Sequence, residues 1–128
     1  SELGLRIVNA SFGSTTASTS IRNAIANAPG TLFVVAAGNG GEDGLGDDND
    51  LTPFYPCSFD LPNVICVAAT DGNDTPASFS NRGAAAVDLA APGVSLLTAL
   101  SPSAAAIAAA RYGPRNARYA LSSSTVAR

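Results

Sequence analysis

The chain has 128 residues, 46% of them hydrophobic and 13% charged, with 12 glycines, 8 prolines, 2 cysteines and no histidine, methionine or tryptophan. That length suits one domain with a real core, so neither a disulfide-stapled miniprotein nor disorder is required. Without histidine there is no self-contained Ser-His-Asp or Cys-His site, no His-ligated metal and no histidine pH switch. Without methionine, Ser1 does not read as a translational start, and the chain reads as a processed product or an excised piece.

Charge is placed unevenly. Through Leu100, three arginines (Arg6, Arg22, Arg82) face all ten acids, for a balance of −7, whereas the remaining residues carry four arginines and no acid. An acidic body does not attract nucleic acid, and so sparse a basic tail does little to change that. No apolar run approaches the ~20 residues of a membrane span, and the N-terminus lacks a charged-then-apolar signal pattern.

In chain order, Leu5 to Ala10 reads as a short buried strand that ends at Ser11-Phe12-Gly13-Ser14. The Ser/Thr run that follows suits a helix N-cap. Ile21, Ala24, Ile25 and Ala28 then form one apolar stripe at helical spacing, and Pro29-Gly30 stops it. Leu32 to Ala37 has no polar alternation, as expected of a strand covered on both faces. Strand, helix and strand with short links make a βαβ unit, hence a parallel sheet with a right-handed crossover and an α/β fold class.

Residues 38–53 compose a loop, with five acids among the ten residues from Gly41 to Asp50. Val64 to Ala69 is a third buried strand, closed by the turn signal Asp71-Gly72-Asn73-Asp74, and Ala84 to Ala90 suggests a fourth, short one. After Leu100 the chain turns alanine-rich, and Ser103 to Arg111 has helical propensity. The Gly-rich turn at Gly38 does not suit a dinucleotide, because Asp43 stands where the fingerprint needs its third glycine and further acids follow.

Several blocks in order carry a resemblance. Ile7-Val8-Asn9-Ala10-Ser11-Phe12-Gly13 resembles the strand that pairs with the substrate backbone in subtilisin-like serine proteases, the subtilases. Val34-Val35-Ala36-Ala37-Gly38-Asn39 is similar to the family's strand leading to its oxyanion-hole asparagine. Tyr55-Pro56-Cys57, Val64 to Ala69, Ala77-Ser78-Phe79-Ser80-Asn81-Arg82-Gly83 and Asp88 to Val94 follow in the family's order, so the resemblance covers roughly residues 5 to 98.

The resemblance implies a partial subtilisin-like fold. Residues 1–100 would be the cleft and oxyanion half of a catalytic domain, and residues 101–128 a divergent Ala/Arg/Ser-rich tail. It implies a peptide or protein substrate in extended conformation and a secreted or cell-surface setting. Asn39, by itself a turn asparagine, would donate to the oxyanion formed during acyl transfer. Ser11, Phe12 and Gly13 would pair with the substrate backbone. Ala36, Ala37 and Gly38 would form one wall of the primary specificity pocket, with Tyr55, Pro56 and Cys57 at its rim and base. Small residues on that wall suggest a preference for a large apolar or aromatic side chain. Tyr55-Pro56 also resembles the family's aromatic-proline pair with a cis bond.

No cofactor is expected apart from calcium. Asp47, Asp48 and Asp50 are calcium candidates by ligand chemistry and family habit, although their spacing fails the EF-hand pattern and a solvated acidic loop explains them as well. Cys57 and Cys66, nine apart, allow either one disulfide or two buried thiols.

The departures concern catalysis. Subtilases run Asp, His, Ser along the chain, and this chain would begin after the first two. The family's nucleophile block, Gly-Thr-Ser-Met-Ala, is best matched by Ser122 to Ala127. That alignment puts Thr125 at the nucleophile position, or Ser124 if the register slips by one. With no imidazole, neither hydroxyl is activated. The expectation is therefore a fragment of a serine endopeptidase, inactive alone. The alternatives are a peptide-binding remnant, or a piece completed by a segment bearing Asp and His.

Overall fold

The structure, a computed structural model, describes residues 4–96. Strand β1 (Ile7–Ala10) leads through a Ser/Thr loop to helix α1 (Thr19–Ala26), which is followed by strand β2 (Leu32–Ala36). Ser18 caps the helix, its Oγ accepting the Ile21 amide at 3.3 Å and so satisfying one of the donors a helix start leaves open. Strand β3 (Val64–Thr70) and strand β4 (Leu89–Pro92) complete a sheet of order β1-β2-β3-β4, parallel throughout.

Register places Ala10 opposite Val35, Val35 opposite Cys66 and Val67 opposite Leu89. The core follows from it. Ala10, Val35, Ala37, Cys57 and Cys66 are buried together, with Phe33, Val64, Ala68 and Val87 packed against them. Parallel neighbours need long crossovers. Only the first carries a helix; residues 37–63 and 71–88 cross between strands as irregular chain.

Irregular crossings need side chains to satisfy their backbone, and buried polar residues do that here. Asn63 Nδ2 donates to the carbonyls of Ile25, Ala28 and Thr31 at 3.0, 3.0 and 3.1 Å, tying the end of α1 to the start of β3. Thr31 Oγ1 donates to the Leu5 carbonyl at 2.6 Å. Ser80 Oγ accepts the Ala69 amide at 2.8 Å, and Asp88 accepts the Cys66 amide at 2.7 Å.

Three expectations change. The first strand is not buried along its length: Ile7 is 67% exposed and only Ala10 is covered, because among the described residues β1 pairs on one side only. Strand β2 is fully covered only at Val35 and Ala36, and of the helical stripe only Ile25 is buried. The fourth strand starts at Leu89, not Ala84, since the amides of Ala84, Ala85 and Ala86 turn to the Asp50 carboxylate instead of a neighbouring strand. The suggested helix from Ser103 to Arg111 lies outside the described residues.

Candidate active-site cleft

A parallel sheet directs its ligand site to the carboxyl ends of its strands, where the chain leaves the ladder and free backbone groups collect. Here β1 and β2 are neighbours in parallel, so Ser11-Phe12-Gly13 and Ala37-Gly38-Asn39 emerge side by side at one end. Ser11 is buried, and its Oγ accepts from Asn9 Nδ2 at 3.0 Å. Phe12 is 45% exposed beside it.

A third segment closes on these two. Ser14 and Tyr55 exchange both backbone hydrogen bonds, at 2.9 and 2.8 Å, in an isolated antiparallel bridge. The Tyr55-Pro56 peptide is cis, and a disulfide joins Cys57 to Cys66 in β3, with 4.9 Å between the α-carbons. Phe12, Ser14, Ile21, Tyr55 and Phe59 line a neighbouring hollow of about 280 Å³. One edge of the Phe54 ring, from Cδ1 to Cζ, faces both Gly13 and Gly38. A methyl group on Gly13 would stand 2.6 Å from Phe54 Cζ, and one on Gly38 would stand 3.1 Å from Phe54 Cδ1.

Asn39 follows β2 between two residues with left-handed backbone, Gly38 at φ +111° and Gly40 at φ +72°. Conformations of that kind favour glycine and make an abrupt turn out of the strand. The turn is braced from below by two buried asparagines. Asn81 Oδ1 accepts the Gly40 amide at 2.6 Å and the Asp47 amide at 3.0 Å, and its Nδ2 donates to Asn49 Oδ1 at 2.9 Å. Asn49 Nδ2 in turn donates to the Ala37 carbonyl at 2.8 Å, while the Asn81 amide donates to the Gly38 carbonyl at 2.9 Å. Ala37, Gly38 and Gly40 are thus fixed on both sides of Asn39.

The acidic loop does other work. Asp50 accepts from the amides of Ala84, Ala85 and Ala86 at 2.7 to 3.2 Å, and Asp48 Oδ1 accepts the Asp50 amide at 3.0 Å. The Asp50 carboxyl is held below the usual carboxylate range, chiefly by the Ala85 amide and then by that of Ala86. Burial pushes it up, and the Ala84 amide lowers it further. Among the described residues no group of three or more acidic or cysteine side chains converges to hold a metal ion.

Ser11, Phe12 and Gly13 follow β1 and Ala37, Gly38 and Asn39 follow Ala36 at the end of β2, and Tyr55 is bridged to Ser14, whereas Pro56 is buried and Cys57 lies in the core, bonded to β3. Thr125 and Ser124 lie outside the described residues. Asn81 stands in the sequence as part of a family block and Asn49 as one oxygen donor of the acidic loop, so neither is marked there as a brace for this turn. Asn49 is the one uncharged position in the run Asp47-Asp48-Asn49-Asp50, which was its available signal.

The profile of the Subtilase family matches residues 2–125. The chain belongs to the subtilase family. It is 41% identical over 95 residues to subtilisin DY of Bacillus licheniformis, an alignment that covers 73% of this chain and 32% of that protein. Among solved structures, a protease of Pseudoalteromonas arctica PAMC 21717 superposes with a TM-score of 0.56 at 33% identity, covering 73% of this chain and 26% of the other. The prenylagaramide maturation protease PagA superposes with a TM-score of 0.61 at 31% identity, covering 77% and 35%. This subtilase chain therefore spans about a third or less of the length of these proteins. Its described part is a partial α/β subtilisin-like fold. Among the described residues no helix is long and apolar enough to cross a membrane.

Proposed function

We propose that this subtilase chain is the cleft and oxyanion portion of a serine endopeptidase that cleaves extended peptides through an acyl-enzyme. The observation that carries the reading is the braced turn at Asn39, set beside the segment Ser11 to Gly13 that leaves the neighbouring strand. Nucleophilic attack on a peptide carbonyl moves an electron pair onto its oxygen. A donor already aimed at that oxygen stabilises the charge without reorganising at the moment of reaction. Asn39 is that donor, and the Asn49–Asn81 brace supplies its preorganisation. Loss of such a donor costs on the order of 10²–10³ in turnover, a magnitude that comes from the subtilisin asparagine itself and not from this geometry.

Ser11 to Gly13 present main-chain groups to the substrate, which adds to the cleft as an extra strand. Phe12 and the hollow beside it offer apolar surface to residues further along the peptide. A chain with no histidine has no imidazole to take the nucleophile's proton, so alone it binds peptide without cutting it. A secreted or cell-surface setting accords with a Cys57–Cys66 bond, since disulfides persist in oxidising compartments.

The test mixes the chain with a chromogenic peptide and with a serine-directed fluorophosphonate, with and without a subtilase fragment bearing the family's Asp and His. The chain alone should give neither turnover nor label. Either signal from the chain alone would overturn the reading, and label only with the added fragment would assign the nucleophile to this chain.

A further inference from the structure

Asn39-Gly40 is the one asparagine-glycine pair in the sequence. Such a pair is labile in water. Once a base removes the glycine amide proton, that nitrogen can attack the asparagine side-chain carbon. Glycine has no side chain to block the approach and leaves the backbone free to rotate into it. Yet the fold demands glycine at position 40. Its φ of +72° lies in the left-handed region, and a methyl group there would run into the Leu45 carbonyl. The turn that carries Asn39 therefore requires the very neighbour that exposes Asn39 to self-modification.

The same turn holds the attacking nitrogen. The Gly40 amide donates to Asn81 Oδ1 at 2.6 Å, and the Asn81 backbone amide donates to the Gly38 carbonyl at 2.9 Å. One buried residue, 2% exposed, thus grips both neighbours of Asn39. A hydrogen bond to the neutral N–H disfavours the amide anion, and it fixes the direction in which the nitrogen points. Attack requires the Gly40 N–H to leave Asn81, lose its proton and swing towards the Asn39 side chain.

We propose that Asn39 is a self-modification site and that Asn81 guards it by sequestering the Gly40 amide. When that bond opens, hydroxide takes the Gly40 amide proton and the nitrogen attacks Asn39 Cγ. The N–Cγ bond forms, the Cγ–Nδ2 bond breaks, and ammonia leaves with a proton from water, which restores the hydroxide. Water then opens one of the two imide bonds of the resulting succinimide, leaving aspartate or isoaspartate. On the cleft reading above, the product sets a carboxylate where an oxyanion would form. The protection itself does not depend on that reading.

The test incubates the folded full chain, N81A, N81D and N49A in mildly alkaline buffer, with the wild type in urea as the unprotected reference. Peptide mapping by mass spectrometry, resolving asparagine, aspartate and isoaspartate at position 39, gives the rates. N81A should convert at least about tenfold faster than the folded wild type, the factor that losing one buried hydrogen bond allows. N81D keeps an oxygen on the Gly40 amide, and its charge opposes an amide anion, so it should stay as slow as the wild type. N49A loosens the same brace but leaves the Gly40 bond in place. It should stay slow as well, which separates sequestration from general loosening.

An N81A rate no higher than that of the wild type, or equal acceleration in N81A and N49A, would overturn the proposal. So would N81D converting as fast as N81A, or the folded wild type converting as fast as the urea sample. Should N81A fail to fold, hydrogen exchange of the wild type decides instead. The Gly40 amide should exchange far more slowly than an unstructured amide, and exchange at the unstructured rate would overturn the proposal.

Discussion

Asn81 Nδ2 donates to Asn49 Oδ1 at 2.9 Å, and this one bond joins two loops that lie 32 residues apart in the chain. Both also bond the backbone beside Asn39: Asn81 accepts from Gly40, and from Asp47 across the loop, while Asn49 donates to the Ala37 carbonyl and to Cys57 Sγ. Both are buried, at 2% exposure, where an unpaired polar group is most costly. N81A leaves the Gly40 and Asp47 amides and Asn49 Oδ1 without this partner. It should lower stability by about 2–3 kcal/mol in urea denaturation. N49A should act similarly, and the double variant should cost less than the sum, because the two share one network. Strict additivity would count against the network.

Asn63 performs a comparable task between the helix and the sheet. Its amide group serves the carbonyls of Ile25, Ala28 and Thr31 while the side chain is buried. N63A should destabilise the chain by about 1–2 kcal/mol. Hydrogen exchange should show the loss concentrated in α1, with the amides of residues 24–28 losing protection before those of β3.

The Cys57–Cys66 bond closes a loop with a sequence separation of 9 and anchors the cleft segment to the middle of the sheet. In the chain-entropy description, a loop of that length contributes about 2.5 kcal/mol by restricting the unfolded chain. The C57A/C66A variant should lose about that much unfolding free energy in urea denaturation, and a reducing agent should shift the midpoint of the wild type but not of the variant.

Asp50 makes stability depend on pH in a defined direction. Its carboxyl is held below the usual range by the Ala85, Ala86 and Ala84 amides, so folding favours the ionised form. The contribution is complete above the ordinary aspartate pKa of about 3.9 and disappears as pH falls through the lower folded value. Wild type should therefore unfold at a higher temperature than D50N at pH 6, and the gap should close below about pH 4. A gap that stays constant down to pH 2 would count against the capping role of the carboxylate.

Much of the framework was legible because local rules bear on it. Pro29-Gly30 and the Ser/Thr run bracket α1, and unbroken apolar stretches mark β2 and β3. Burial along β1 was not legible, because a strand's exposure depends on how many neighbours it has, and among the described residues Ile7 has a paired strand on one side only. The start of β4 was missed for another reason. Ala84 to Ala86 are compatible with a strand by composition, and a carboxylate 34 to 36 residues earlier draws their amides into a turn.

The site divides along the same line. Sequence alone determined the family, the parallel α/β arrangement and the placing of Asn39 at the end of a buried strand, because all of these depend on residues near one another or in a fixed order. It also determined that the chain supplies no imidazole, since composition settles that without any fold. Tertiary structure decided what holds the turn and what packs against Gly13 and Gly38. Asn49 reads as one more member of an acidic loop until the fold sets it 2.9 Å from Asn81, and Phe54 as a loop residue until the fold sets one edge of its ring against Gly13 and Gly38. Contacts between residues distant in sequence leave no periodicity, so the chain carries no local pattern from which they could be read.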